Sequence, residues 1–334
     1  MSDAPRSTRP AHVLARTYAT ADLRSFAEGS GPFLTVELPT PSEFADADHR
    51  LAIRWRNARR QVEGSWPAEL LDQLDQTIAE LTHGESEAVV ILQRADGTTF
   101  IEALTSGLTR ELATTGAQPR LVEIVEHRQR TLPHLVVVAD HTGADIGGFD
   151  RGETVLTAEV EGTTHHIHRI QGGGWSHRRI QQRAENRVED NADLVGEAVR
   201  QIAADFEPAL VAIAGEVRSR HLVEAAIEGI DADVVMIEAG DPDGIATETL
   251  RAVADLHARL QRAVIEDARD RWPVVDPTDV LQALADGRVE TLLVDGTGDH
   301  GDGAIARALA TDAGIVVVPS VPELSGGLAA IPRW

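Results

Sequence analysis

The chain has 334 residues, of which 25% are charged and 42% hydrophobic, with a formal net charge of -23; this is the composition of a globular protein with room for two or three domains. It contains no cysteine and its 31 basic residues are all arginines, which excludes disulfides, zinc knuckles, P-loop lysines and Schiff-base lysines. The net negative charge argues against a general binder of duplex DNA, and no segment has the run of apolar residues that a membrane span or a signal peptide needs, so we expect a cytoplasmic protein without a membrane partner.

The first part of the chain, residues 1–128, carries the signals of an α/β domain. Apolar residues recur at helical spacing in two consecutive segments, and Asp96-Gly97 is a hairpin signal between two short apolar runs. The predicted elements are a strand at 33–39, helices at 46–63 and 68–81, and strands at 88–92, 100–104 and 121–125.

The first of these helices is rich in arginine. Arg50, Arg54, Arg56, Arg59 and Arg60 surround Trp55, and the spacing of four residues between some of them brings like charges together on one face. Two interpretations remain open: a solvated helix face, or a surface on which Arg56 and Arg60 contact RNA phosphates.

The central part, residues 129–272, begins as a β-meander and continues as alternating helices and strands. After a linker at 127–133, strands are predicted at 135–140, 144–149 and 154–160, then a helix ending near 206, a strand at 210–214, a helix at 220–227, a strand at 234–238 and a long helix at 247–268. This alternation predicts a mixed or parallel sheet flanked by helices.

A basic, glycine-rich segment interrupts this domain. Residues 163–184 contain no Asp or Glu but four histidines and four arginines, in an otherwise acidic chain. At its centre, Gly172-Gly173-Gly174 precede Trp175, and Ser176 is suited to cap the helix that follows. His177, Arg178 and Arg179 then occupy the first helical turn, where the helix dipole disfavours cations unless an anion binds there. The segment therefore predicts a projecting tip that contacts RNA phosphates and stacks on a base; the alternative is a solvated helix face.

The last part, residues 273–334, predicts a small α/β unit with helices at 279–285 and 304–311 and strands at 289–294 and 315–319. Gly296-Thr297-Gly298-Asp299-His300-Gly301 matches the dinucleotide fingerprint. Asp295, Asp299 and Asp302 around it would repel a pyrophosphate, so an acidic loop is favoured and no cofactor is expected.

No metal site is expected in the central part of the sequence. His165, His166 and His168 have no carboxylate close in sequence, and Asp140, His141 and Asp145 are interpreted as structural residues of a hairpin.

The tip resembles that of a known family. Gly173-Gly174-Trp175-Ser176 followed by Arg179, Arg183 and Arg187 is similar to the Gly-Gly-Gln-Ser tip and arginine helix of the archaeo-eukaryotic release factor and Pelota superfamily. The resemblance extends through segments 138–145, 213–220, 280–294 and 327–334, and is strongest to the bacterial branch, with its actinobacterial members and Balon-type hibernation factors. It implies three consecutive α/β domains: 1–128, a central domain at 129–272 with a mixed sheet, a projecting glycine-rich loop and a long helix, and a small α/β/α domain at 273–334 of the ribosomal protein L7Ae-like type.

One departure from the family pattern bears on activity. Trp175 stands where the family has the glutamine that places water at the peptidyl-tRNA ester, and an indole has one donor and no acceptor. The resemblance therefore implies a ribosome-associated factor in the A site, in hibernation or a stress response, whose partners are rRNA, the P-site tRNA and a translational GTPase. Two alternatives remain open: a peptidyl-tRNA hydrolase that uses Gln181 or His177 instead, and a nucleotide-binding stress protein.

Overall fold

The computed structural model describes residues 13–14, 20–29, 31–40, 47–81, 86–108, 111–161, 164–169, 188–271, 273–296, 301–320, 324 and 326–333. It divides into two compact units. One comprises residues 1–13 and 130–262, and the other comprises residues 14–129 and 263–334. No helix in the described ranges is long and apolar enough to cross a bilayer.

In the unit formed by residues 14–129 and 263–334, the first of these segments builds an antiparallel sheet with the strand order β3-β2-β1-β4. Its strands are β1 (Phe33–Pro39), β2 (Ala88–Arg94), β3 (Thr99–Leu104) and β4 (Leu112–Gly116), and its helices are α1 (Ala21–Ala27), α2 (Ala47–Val62), α3 (Ala68–Glu80) and α4 (Val122–Arg130). One face of the sheet packs on α2 and α3. Alternate residues of β1 and β2 supply that face, as the pleat of a strand requires.

Residues 263–334 of the same unit add a three-stranded sheet with the order β12-β11-β13, in which β11 and β12 are parallel. Its elements are α8 (Pro277–Ala285), β11 (Val289–Asp295), α9 (Gly301–Ala310), β12 (Gly314–Val318) and β13 (Leu328–Pro332). These elements share one hydrophobic core with α1, α4 and the second face of the first sheet. The N-terminal and C-terminal segments are thus packed as one body.

Two polar side chains form hydrogen bonds between residues 14–129 and residues 263–334 of this unit. The Gln129 side-chain amide accepts a hydrogen bond from Val317 N at 2.9 Å and donates one to Ile315 O at 2.7 Å. It therefore pairs with two backbone groups on the outer edge of β12. The Asp302 carboxylate accepts a hydrogen bond from Leu121 N at 2.7 Å and so caps α4 from a distant part of the chain. Each bond pairs a buried backbone group with a side chain from a distant part of the sequence.

The other unit is built on a six-stranded mixed sheet with the order β10-β9-β5-β6-β7-β8. Its elements are β5 (His134–Ala139), β6 (Gly143–Asp150), β7 (Glu153–Glu161), β8 (Thr164–Arg169), α5 (Val188–Phe206), β9 (Leu210–Gly215), α6 (Val217–Ala226), β10 (Asp233–Met236) and the start of α7 (Pro242–Asp270). Strands β5, β9 and β10 are parallel and β5 to β8 are antiparallel. Helices α5 and α6 pack on one face of this sheet.

The predicted mixed α/β class, the meander and the parallel strands are confirmed. The strand predicted at 121–125 is wrong, because Leu121 and Val122 enter helix α4, whose first amides are capped by Asp302. Strand β4 is absent from the predicted elements, since Leu112–Gly116 contains only one large apolar residue. The division into three domains at 128 and 272 stays a prediction.

Gly215 ends β9 in a conformation that side chains rarely adopt. Its φ is +105°, and an added Cβ would lie 2.0 Å from Ala139 O on β5. We expect Gly215→Ala to lower the free energy of unfolding by about 3 kcal/mol, the upper end of the cost of a strained backbone conformation. Urea unfolding followed by circular dichroism measures the change. Gly240→Ala is the control, because a Cβ there meets nothing within 4 Å; an equal loss in both variants would contradict the expectation.

Candidate functional site

The glycine tip predicted from the sequence lies outside the described residues. This applies to most of the predicted RNA-binding residues and to both catalytic candidates. They are Gly172, Gly173, Gly174, Trp175, Ser176, His177, Arg178, Arg179, Gln181, Arg183 and Arg187. The structure describes the elements that precede and follow them, β8 and α5.

These two elements reach different ends of the six-stranded sheet. Arg169, the last residue of β8, pairs with Leu156 of β7. Helix α5 starts at the opposite end of the sheet, where the Asn191 amide donates a hydrogen bond to His141 O at 3.0 Å, in the turn between β5 and β6. The sequence patterns alone do not predict this hydrogen bond, although an Asn in the first turn of a helix is a recognisable signal of local anchoring.

The turn beside the start of α5 is internally satisfied. Asp140 accepts hydrogen bonds from Thr142 N and Gly143 N at 2.6 and 3.0 Å, which confirms its predicted structural role. His141 Nδ1 lies 3.1 Å from Glu216 Oε1, which precedes α6. Burial first, and then the charges of Glu159 and Asp140, raise the pKa of Asp145 above its ordinary value. The hydrogen bonds of Asp140 stay within this turn.

The arginine patch on α2 contains both internally paired and available side chains. The Trp55 ring is buried and its Nε1 donates to Asp75 at 2.6 Å. The Arg59 guanidinium is held by Asp72 at 2.7 Å and also by Asp75, and these hydrogen bonds raise its pKa. Only tertiary structure distinguishes these residues from their neighbours, because the carboxylates come from α3.

Arg56 and Arg60, the two residues predicted to bind RNA, are exposed. Arg60 donates to Asn57 on its own helix, whereas no described residue forms an ion pair or hydrogen bond with the Arg56 guanidinium. A groove of about 900 Å³ opens beside Arg56 between α2 and α3, with Leu51, Trp55 and Ile78 among its lining residues. The Arg56 guanidinium can therefore bind an external anion without breaking a contact to a described residue.

The loop with the dinucleotide fingerprint has structural roles at the residues that the structure describes. A Cβ on Gly301 would lie 2.6 Å from Val294 Cγ1 and 2.9 Å from Val122 Cγ2, so this glycine permits close packing of α9. Asp302, the next residue, caps α4. The start of α9 is therefore used inside the protein, which weighs against a pyrophosphate there.

No metal-binding group of His, Asp or Glu side chains occurs among the described residues. The backbone of the histidine-rich strand pairs His166 with Glu159 and His168 with Thr157. The expectation that the chain has no metal or other cofactor stays a prediction.

Residues 133–272 match the family model "Bacterial archaeo-eukaryotic release factor family 2". Two curated relatives, "Uncharacterized protein MT2704" and "Uncharacterized protein Rv2629" of Mycobacterium tuberculosis strains, are each 23% identical to this chain over 293 residues, which cover 83% of the chain and 78% of the relative.

Solved structures to which the chain was matched include a model of ribosome-bound archaeal Pelota and ABCE1, with TM-score 0.40, 14% identity and coverage of 95% of this chain and 94% of that chain. The archaeal translation termination factor aRF1 has TM-score 0.24 and 17% identity, with coverage of 97% of this chain and 98% of that chain. The yeast protein Dom34, described as a translation termination-like factor interacting with Hbs1, has TM-score 0.38 and 10% identity over 74% of this chain and 86% of that chain.

Proposed function

Residues 133–272 match the family model, and we propose that this protein is a member of the archaeo-eukaryotic release factor and Pelota superfamily and a ribosome-associated translation factor that occupies the ribosomal A site. The observation that carries the proposal is the location of the basic glycine tip inside the matched segment. The tip has no acidic residue between 163 and 184 in a chain of net charge -23. Such local charge binds phosphates even when the total charge is repulsive.

Two features support RNA as the ligand of this factor. The tip sequence combines glycines, which allow close backbone approach, with an indole that stacks on bases and arginines that bind phosphates. On α2, the Arg56 guanidinium is exposed and has no partner among the described residues. We propose rRNA and the P-site tRNA as the ligands of these two surfaces, the cytoplasm as the location, and a translational GTPase as the protein that delivers the factor.

The proposed role is hibernation or stress protection without peptide release. Trp175 replaces the glutamine expected in a hydrolytic tip, and its single donor cannot hold an attacking water between two groups. The tip then fills the tRNA site and blocks it. The alternative of peptidyl-tRNA hydrolysis is favoured only if labelled peptide is released and Gln181→Ala or His177→Ala abolishes the release.

Cosedimentation with 70S ribosomes over a series of salt concentrations tests the proposed function. We expect binding at low salt that weakens steeply as salt rises, because cationic groups that bind RNA phosphates release counterions. A variant with Arg178, Arg179 and Arg183 replaced by glutamine should bind less and show a shallower salt dependence. Absence of association at low salt would overturn the proposal.

We expect Arg56→Glu combined with Arg60→Glu to weaken ribosome binding and to lower the salt slope by about one for each phosphate that the variant no longer binds. The melting temperature should not fall, since neither side chain forms an ion pair with a described carboxylate. Arg307→Glu, an exposed charge reversal in the same unit, is the control, and it changes the net charge half as much as the double variant. If that control costs half as much binding free energy as the double variant, total charge and not the α2 surface determines the affinity.

A further inference from the structure

The edge strand β10 offers unpaired backbone groups to a partner. It is the terminal strand of the six-stranded sheet, and no strand in the described part of the chain pairs with its outer side. Its parallel pairing with β9 uses Asp233 N, which donates to Ala209 O at 3.0 Å, and Ile237 N, which donates to Ile213 O at 2.8 Å. Because consecutive residues of a strand alternate in direction, Val234 and Met236 direct their amides and carbonyls away from β9.

The hydrophobic core is incompletely covered along this edge. Val223 and Ile227 of the α6 region are buried in the core, whereas the apolar residues nearest the edge are only partly buried. These are Leu222, Ile230, Ala232, Val234 and Met236. An open groove of about 410 Å³ lies there, with Ile227, Ile230 and Val234 among its lining residues. An apolar side chain on an added strand would complete this packing.

The rim of the groove is acidic. Glu224 and Glu228 line it and are exposed, and Asp231 is exposed in the turn before β10. The one cationic candidate in the lining is His221, whose Nδ1 lies 3.5 Å from Glu224 Oε2. Charge complementarity therefore favours a basic partner and opposes RNA, whose phosphates would meet two carboxylates.

We propose that β10 and this groove form a docking site for an extended, basic segment of another protein, which adds to the sheet as a further strand. Its backbone pairs with Val234 and Met236, an apolar residue enters the groove, and neighbouring Lys or Arg residues face Glu224 and Glu228. This is β-strand addition, in which main-chain hydrogen bonds give affinity and alternate side chains give specificity. A second copy of this chain is a poorer occupant, because two acidic rims would then approach each other. The inference is independent of RNA binding by the tip.

A short synthetic peptide of alternating valine and lysine is the probe. Added to the full-length protein, it should slow hydrogen exchange at the Val234 and Met236 amides, with little change at Val235, which already bonds to β9. A peptide of alternating valine and glutamate should not bind. The valine-lysine peptide with methylated backbone nitrogens on the pairing side should bind about tenfold more weakly than the unmethylated valine-lysine peptide, since it loses the strand hydrogen bonds. Equal binding of the methylated peptide, or no protection at Val234, would overturn the proposal.

Variants of the protein distinguish the contribution of the β10 backbone to peptide binding from that of the acidic residues around the groove. Val234→Pro removes an outward amide, which an edge strand tolerates, and should weaken peptide binding with a small change in melting temperature. Val235→Pro removes an inward amide and should instead destabilise the sheet. If Val234→Pro does not fold, Glu224→Lys with Glu228→Lys should still weaken binding of the lysine peptide, whereas Glu197→Lys on α5 should not. Peptide binding that is unaffected by the rim variants, or dimerisation of the free protein that Val234→Pro abolishes, would contradict the assignment.

Discussion

Replacing Arg128 with methionine should lower the free energy of unfolding by about 3–5 kcal/mol, because the change removes the guanidinium that binds a buried carboxylate. The Arg128 side chain is fully buried at the end of α4, and its Nε donates to Glu102 Oε1 at 2.7 Å on β3. Its two terminal nitrogens also bind Asp22 of α1, at 2.9 and 2.8 Å. Burial alone would lower the pKa of Arg128, yet the hydrogen bonds to Glu102 and Asp22 raise it, so the guanidinium remains charged at all ordinary pH values.

Urea unfolding of the single and double variants measures this effect. Arg128→Met with Glu102→Leu should recover part of the loss, since the double change removes the buried charge as well as its partner. Arg130→Met is the control on the same helix, where the side chain is exposed and the expected change is within about 0.5 kcal/mol. If Arg128→Met lowers the free energy of unfolding no more than the control does, the ion pairs of Arg128 with Glu102 and Asp22 do not stabilise the fold.

Replacing Trp175 with alanine should weaken ribosome binding by roughly 5- to 150-fold, the range that corresponds to ~1–3 kcal/mol for stacking on one base. This prediction rests on the proposed function and on the place of Trp175 after three glycines in the basic segment. Trp175→Phe should retain most of the affinity, because a phenyl ring still offers a stacking face. Cosedimentation at one fixed salt concentration measures all three proteins.

The same series separates stacking from structural damage. The melting temperature of Trp175→Ala should equal that of the unchanged protein if the indole contacts RNA. A large fall in melting temperature with unchanged ribosome affinity would place the indole in the protein interior and contradict the proposed role.

A helix or strand that buries one of its faces can be predicted from local sequence. The pattern at 68–81 predicts a helix because Leu71, Leu74 and Ile78 recur at helical spacing, and these residues are buried in the structure. The short run after Arg120 instead resembles a strand, because a helix of nine residues that is buried on most sides has no alternation or stripe to distinguish it. Its cap, Asp302, lies far along the chain and could not be recognised from local sequence.

The candidate surfaces divide in the same way. The basic segment at 163–184 could be recognised from sequence, because a cluster of like charges without local counterions is a property of composition. The available arginines of α2 could not be distinguished from sequence. Five arginines lie between residues 50 and 60, and only the position of α3 decides that Arg59 is neutralised. The β10 edge likewise depends on which strands pair, and non-local pairing is not encoded in the four residues of that strand.

The amino-acid sequence alone determined the α/β class, the exclusion of cysteine and lysine chemistry, and the location of the candidate RNA-binding segment, because these depend on residue types and short spacings. Tertiary structure decided that the N-terminal and C-terminal segments share a core, that Asp302 and Gln129 bind distant backbone groups, and which cations of α2 remain available. The physical reason is that burial and hydrogen-bond satisfaction are properties of side chains brought together from distant positions, and no local pattern specifies those partners.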